Sequence, residues 1–92
     1  MYVVVVYDIS LDEKGSRNWR KIFGICKRYL HHIQNSVFEG ELSEVDIQRL
    51  KYEASKYIRD DLDSFIIFKS RNERWMEKEM LGLQEDKTDN FL

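Results

Sequence analysis

Hydrophobic and polar positions along the chain alternate between strand-like and helix-like patterns. Residues 2–7 are all β-branched or aromatic, which predicts a strand buried on both faces at the centre of a sheet. Apolar residues then recur with helical spacing, and this pattern predicts an amphipathic helix over residues 14–30. The apolar stripe of that helix consists of Trp19, Ile22, Phe23, Cys26 and Leu30.

The middle of the chain combines a turn signal with a helix-capping signal. Two short runs of strand-forming residues flank a polar centre at residues 34–36, so we predict two antiparallel strands joined by a tight turn, with one bent strand as the alternative. The spacing of Ser43 and Asp46 resembles a capping box, which predicts that a second helix starts there. We expect this helix to end near residues 59–61.

The C-terminal third begins with another apolar run. Residues 64–69 are predicted to form a buried strand. Residues 74–81 fit either a strand or a helix, and we predict an edge strand because charged residues on an edge discourage aggregation. The apolar residues Phe91 and Leu92 indicate that the last segment docks on a surface.

The predicted order of elements is β-α-β-β-α-β followed by an extra C-terminal strand. This order is typical of an α+β ferredoxin-like sandwich, in which both helices pack on one face of an antiparallel sheet. A length of 92 residues indicates a single domain spanning residues 1–92, small enough for a dimer interface to add to its stability. Because the fold hosts enzymes, sensors, metal carriers and RNA-binding modules, it does not decide the function.

Composition excludes several classes of protein. No apolar window approaches the roughly 20 residues of a membrane span, and Asp8 interrupts the only apolar run near the start, so we expect neither a membrane anchor nor a secretory signal. The single Cys26 cannot pair within the chain and indicates a buried thiol in a reducing cytoplasm. One cysteine also argues against a metal carrier. The adjacent His31 and His32 have diverging side chains and make a poor zinc pair.

The charge distribution along the chain is asymmetric. The net charge is −2, yet residues 14–38 contain no Asp or Glu and six Lys or Arg. A block of one sign on a chain of the opposite net sign indicates a local anion-binding surface, and the alternative is a solvated helix face. The block supplies Arg17, Arg20, Lys27 and Arg28 as candidate nucleic-acid-binding residues.

Asp8 is the candidate metal ligand, because it stands where the first strand leaves the core. A carboxylate fixed at a rigid strand end suits Mg²⁺, which is usually held by one or two carboxylates together with water and phosphate oxygens. The alternative is that Asp8 only opens the loop over residues 9–13. No Ser or Cys has a base at a recognisable motif spacing, which argues against nucleophilic catalysis.

Several features of the chain follow one another in an order that is typical of one protein family. They are an apolar strand ending in Tyr7-Asp8, a basic first helix, a Gln-x-Ser-Val-Phe-Glu string at residues 34–39, the strand at 65–68 and Gly82. In this order they resemble the CRISPR-associated Cas2 family from end to end, and the string is the specific part, because its spacing after a Tyr-Asp strand end is unusual. The resemblance implies a homodimer in which the C-terminal segment, residues 83–92, adds a strand to the partner's sheet.

The resemblance also implies an activity and a set of partners. The activity is metal-dependent endonuclease cleavage of single-stranded RNA or double-stranded DNA, and the second role is the acquisition of new spacers together with the integrase Cas1. Asp8 matches the family's metal-binding aspartate and is the expected catalytic residue. Arg17 and Arg20 lie where the family carries basic residues. The expected supporting residues are Tyr7, Ser36 and Phe38.

Two functions of different class remain open at this point. A nuclease needs Mg²⁺ or another divalent cation held by Asp8, whereas a purely structural scaffold needs only the dimer and a basic surface that grips duplex DNA. One carboxylate per subunit and the lack of an identified general base argue against the nuclease. A third interpretation, a ligand-binding regulatory domain, leaves the basic helix unexplained.

Overall fold

The computed structural model describes residues 1–82, which form four strands, two α-helices and a short 3₁₀ helix. The order of elements confirms the predicted β-α-β-β-α-β pattern. The elements are β1 (Tyr2–Asp8), α1 (Glu13–Tyr29), β2 (His31–Gln34), β3 (Val37–Glu41), α2 (Glu44–Ser55), β4 (Ser64–Ser70) and the 3₁₀ helix (Glu73–Trp75).

The sheet is antiparallel and has the strand order β2-β3-β1-β4. Strand β1 therefore lies at the centre, as its sequence predicts, and β4 forms one edge. Both helices cover the same face, where Val3 and Val5 of β1 pack into one core with Ile22 of α1 and Leu50 of α2, all fully buried. This arrangement confirms the α+β ferredoxin-like fold.

The opposite face of the sheet, which we call the open face, has no α-helix over it within residues 1–82, and residues 76–81 lie over only its β2–β3 side. Val4 and Val6 are only partly buried there, and Ile66 and Phe68 of β4 are 46% and 53% exposed. The prediction that β1 is buried on both faces is therefore wrong for the single chain, and β4, predicted as a buried strand, is exposed on this face. The reason is that both α-helices pack on the same side, so the apolar positions on the other side have no helix to cover them.

Local signals explain the element boundaries. The Ser43 hydroxyl accepts a hydrogen bond from the Asp46 N–H at 3.1 Å and caps α2, as predicted. Asn35 has φ of 40° in a two-residue turn between β2 and β3, which confirms two strands rather than one bent strand. Helix α2 ends at Ser55, earlier than predicted, and is followed by turns in which the Asp63 carboxylate, not a carbonyl, accepts the Arg59 N–H at 2.9 Å.

The predicted edge strand over residues 74–81 is wrong. The Asn72 side chain accepts the Arg74 N–H at 2.9 Å and caps the 3₁₀ helix, and residues 76–81 then run without strand pairing. Lys78 forms an ion pair with Glu39 of β3, which brings this segment over the sheet instead of along its edge. The predicted docking segment at residues 83–92 lies outside the described residues.

Neither helix within residues 1–82 is long and apolar enough to cross a membrane. Cys26 is a free, fully buried thiol on α1, as its position in the apolar stripe predicts. Burial raises its pKa to about 12, so the thiol stays protonated and is not a nucleophile at neutral pH. The His32 Nε2 atom donates a hydrogen bond to the Asn35 carbonyl oxygen at 2.8 Å, and the ring packs on Phe38, which fits a structural role.

Candidate functional site

Asp8 is the last residue of β1 and pairs in register with Ser64, the first residue of β4. It is exposed and, by the alternation of the strand, shares the open face with Val4 and Val6. The ion pairs on the neighbouring loops use Asp12 and Asp63, and among residues 1–82 none uses the Asp8 carboxylate. The carboxylate is thus held on a rigid strand with its oxygens free to bind a cation.

The donor set around Asp8 fits only certain metals. In the part of the chain that the structure describes, no three His, Cys, Asp or Glu residues converge on a common point. Structural and catalytic zinc sites use three or four protein ligands, so this donor set does not fit zinc. Magnesium keeps several water molecules and uses one or two carboxylates plus substrate phosphates, and the single exposed carboxylate at this site fits that chemistry.

The three supporting residues lie together behind Asp8. Tyr7 is 3% exposed, and its ring stacks against Phe38 with centroids 6.3 Å apart. The Ser36 carbonyl accepts the Tyr7 N–H at 3.1 Å, and the Ser36 hydroxyl accepts the Trp19 Nε1–H at 2.9 Å. Ser36 therefore connects the end of β1 to helix α1 through two hydrogen bonds. Together with the buried rings of Tyr7 and Phe38, it fixes the position of the strand end.

The Tyr7 hydroxyl is not a general base. It is buried and has no hydrogen-bond partner among the described residues. Burial raises the pKa of Tyr7 above its ordinary value, so the phenol is neutral at physiological pH. The sequence-predicted site therefore supplies one free carboxylate and a set of structural neighbours.

The basic residues extend along the exposed side of α1. Arg17, Arg20 and Lys27 are exposed, whereas Arg28 is bound to Glu53 of α2. Tyr29 also donates to Glu53 at 2.6 Å, and this hydrogen bond, with the Arg28 charge, lowers the pKa of Glu53. Three of the four candidate cations are thus free of ion pairs among residues 1–82.

A groove between the helices adds two cations, Lys21 and Lys56, that sequence reasoning did not assign to the nucleic-acid surface. Lys21 of α1 and Lys56, the C-cap residue of α2, line this groove together with Arg20 and Arg28. Lys56 lies far beyond the basic block in sequence, so only the packing of α2 against α1 shows that it extends the same surface.

Sequence reasoning also missed an ion-pair network beside Asp8. Arg59 binds Asp63 through Nε at 2.9 Å and Asp12 through Nη1 at 3.0 Å. The Asp63 side chain is fully buried. The hydrogen bond from Arg59 holds the Asp63 pKa at about 2, below its ordinary value of 3.8. The spacing of Arg59 and Asp63 by four residues was the only local signal of this network.

We expect the free energy of unfolding to fall in acid because Asp63 becomes protonated. Its folded-state pKa is lower than its unfolded-state pKa, so its stabilising effect is complete above about pH 5 and disappears as pH falls from about 4 to about 2. Melting temperatures measured from pH 7 to pH 3 should fall less steeply for Asp63→Asn than for the wild type. The exposed Asp61→Asn is the matched control and should follow the wild type. Parallel curves for wild type and Asp63→Asn would contradict this prediction.

Comparisons with known proteins agree with one another. The family model described as CRISPR associated protein Cas2 matches residues 1–78. The chain is 99% identical over 92 residues to a CRISPR-associated endoribonuclease Cas2 of Fusobacterium nucleatum subsp. nucleatum, covering 100% of this chain and 87% of that protein. A protein of the same name from Dictyoglomus turgidum is 35% identical, with 100% of both chains covered. The crystal structure of Streptococcus pyogenes Cas2 superposes with a TM-score of 0.80 at 26% identity, covering 89% of this chain and 100% of that one.

Proposed function

The chain belongs to the CRISPR-associated Cas2 family, and from this premise we propose that it is a metal-dependent endonuclease of CRISPR adaptation whose catalytic residue is Asp8. The family resemblance predicted from the residues is confirmed. The relatives are named endoribonucleases, which favours a nuclease over a purely structural scaffold. The observation that carries the proposal is the exposed Asp8 carboxylate, held on the central strand and free of ion pairs within residues 1–82.

In this proposal Asp8 is the protein ligand of Mg²⁺ or another divalent cation. When bound, such an ion polarises a phosphodiester and lowers the pKa of a coordinated water molecule. The chain's own contribution is to hold the carboxylate in place, because Asp8 is paired with Ser64 on one side and Tyr7 is tied to Ser36 on the other. Because Asp8 is the exposed last residue of β1, a nucleic-acid phosphate can approach it at the rim of the open face.

We also propose that the protein is a homodimer that forms through the open face. Contiguous exposed apolar residues on a small protein mark an interaction surface, and Ile66 and Phe68 form such a patch with Val4 and Val6. A two-fold axis through this face would place both copies of Asp8 on the same interface. Strand β4 is an edge of the sheet, which supports the proposal that the partner's residues 83–92 add a strand there.

Charging the open face should dissociate the dimer. Ile66→Lys with Phe68→Lys removes apolar burial worth about 3 kcal/mol in total, which corresponds to a rise of about 100-fold in the dimer dissociation constant. Val45→Lys is the matched control, because Val45 is 60% exposed but belongs to α2 on the other side of the sheet. Sedimentation velocity distinguishes the outcomes, and an unchanged dimer in the double variant would exclude this interface.

The basic surface supports a nucleic-acid partner, and the family resemblance supports a protein partner. We propose that Arg17, Arg20 and Lys27 contact phosphates of DNA or RNA, with Arg28 contributing once it is released from Glu53. The proposed protein partner is the integrase Cas1, in the cytoplasm, where the free thiol of Cys26 stays reduced.

The test of the proposed function is a cleavage assay with the purified chain. Single-stranded RNA and duplex DNA are incubated with Mg²⁺ and, separately, with chelator, beside the Asp8→Asn chain. Cleavage that needs both the metal and the Asp8 carboxylate supports the proposal, and cleavage that needs neither overturns it.

A further inference from the structure

Ser10, two residues after Asp8, is held at both of its backbone polar groups by side chains from far along the chain. Its N–H donates to Asp63 Oδ1 at 2.9 Å, and its carbonyl accepts from Arg59 Nη2 at 3.0 Å. A loop residue usually leaves such groups to water, so this double anchoring fixes the path of the chain directly after β1.

The two anchoring side chains are themselves fixed. Arg59 donates from its backbone N–H and from Nε to Asp63 Oδ2, both at 2.9 Å, and the Asp63 side chain is fully buried. Arg59 Nη1 reaches both carboxylate oxygens of Asp12 at 3.0 Å. Asp12 in turn caps α1 by accepting the Gly15 N–H at 2.7 Å. Charge-assisted hydrogen bonds of this geometry are among the stronger polar contacts in proteins.

Helix α1 packs closely against the loop that contains Ser10. A Cβ atom added at Gly15 would lie 1.7 Å from the Ser10 carbonyl oxygen and 2.9 Å from Arg59 Nη2, so only glycine fits at this position. Gly15 therefore packs directly against the Ser10 carbonyl.

The network contacts the chain just after Asp8 in β1 and just before Ser64 in β4. Ser10 follows Asp8 by two residues, and the intervening Ile9 is 4% exposed. Ser64, the register partner of Asp8, directly follows Asp63. The same arginine therefore fixes the segment that leaves Asp8 and, through Asp63, the segment that enters β4 opposite it.

We propose that Arg59 is a positioning residue for the metal site. Its hydrogen bonds to Ser10 and Asp63 fix the direction of the Asp8 carboxylate, and this direction sets the affinity of Asp8 for a divalent cation. This inference rests on the proposed function of Asp8 as the metal ligand. Groups that orient a metal ligand typically change metal affinity about 10–100-fold when they are removed, and Arg59 acts on Asp8 through the backbone without touching the ion.

The experiment titrates Mn²⁺ into the isotope-labelled full chain and follows paramagnetic broadening of the amide signals around Asp8 by NMR. The Mn²⁺ concentration at half-broadening should rise about 10-fold for Arg59→Gln and less for Arg59→Lys, which restores one charged contact. Amide hydrogen exchange of Ser10, measured on the same samples, should accelerate in both variants. Cleavage by Arg59→Gln should recover towards the wild-type kcat at saturating metal, a result that general loss of structure would not give.

Arg49→Gln is the matched control, because the only ion pair of Arg49 among residues 1–82 is a surface pair with Asp46 at 3.7 Å. It should leave the Mn²⁺ midpoint and the Ser10 exchange rate unchanged. A folded Arg59→Gln chain with the wild-type midpoint, while Asp8→Asn no longer binds Mn²⁺, would overturn the positioning role alone. Wild-type Mn²⁺ binding by Asp8→Asn would overturn the proposed metal site and this inference together. If Arg59→Gln does not fold, Asp12→Asn can be compared with the wild type in the same way, because it removes the ion pair between Asp12 and Arg59.

Discussion

Replacing Asp8 with asparagine is expected to abolish metal-dependent cleavage and to leave the fold and the dimer intact. The amide has nearly the shape of the carboxylate but lacks its charge, and Asp8 is exposed and free of ion pairs within residues 1–82. Because even changes to residues behind a metal ligand cost about 10–100-fold, removal of the ligand itself should reduce the cleavage rate at least about 100-fold. Cleavage of RNA under excess Mg²⁺ measures the effect.

The control for this variant is a second exposed acid. Asp61→Asn removes the same charge at a site outside the proposed metal centre and should cleave like the wild type. Melting temperature and sedimentation should be equal for both variants and the wild type. Activity that persists in Asp8→Asn through repeated purification would point to a contaminant or to a different active site.

Neutralising the basic side of α1 should weaken binding to nucleic acids of every nucleotide sequence to a similar extent. Every side chain that binds a phosphate contributes about one unit to the slope of log affinity against log salt. Changing Arg17, Arg20, Lys27 and Arg28 to glutamine should flatten the slope by about four units, three from the cations without ion pairs among residues 1–82 and one from Arg28, which contributes once it is released from Glu53. Titrations at several salt concentrations give the slope.

Two comparisons make this result specific. Glutamine at Arg49, Lys51 and Arg71, which are exposed elsewhere, should leave the slope nearly unchanged. In a reconstituted integration reaction with Cas1, we expect the α1 variant to fail and Asp8→Asn to work, because bridging needs many phosphate contacts whereas hydrolysis needs one metal. If Asp8→Asn alone abolished integration, the metal centre would instead be the functional core of that reaction.

Local patterns were sufficient to predict most elements of the fold. The β-branched run predicted β1, the helical stripe predicted α1, and Ser43 marked the start of α2, because each signal depends on neighbours within a few residues. The segment at 74–81 was mispredicted because its residues fit two structures locally. Its actual path depends on Lys78 reaching Glu39, an ion pair between residues that are 39 positions apart.

The candidate site was only partly visible in the sequence for the same reason. Asp8 could be identified because a carboxylate at a strand end is a local feature. The role of Arg59 could not, because its contacts with Ser10 and Asp12 span 49 and 47 residues. No periodicity or motif records such a pairing, which only the closure of the sheet brings about.

The central position of the first strand has a consequence for synthesis on the ribosome. Strand β1 emerges first, but its partners β3 and β4 begin only at Val37 and Ser64. The most apolar strand of the chain has two unpaired edges until β3 emerges and one until β4 emerges, a condition that favours association with other nascent chains. Helix α1, formed from local contacts, is the first element able to cover one face of β1. The order of the elements thus places an early-folding helix directly behind the segment that waits longest for its neighbours.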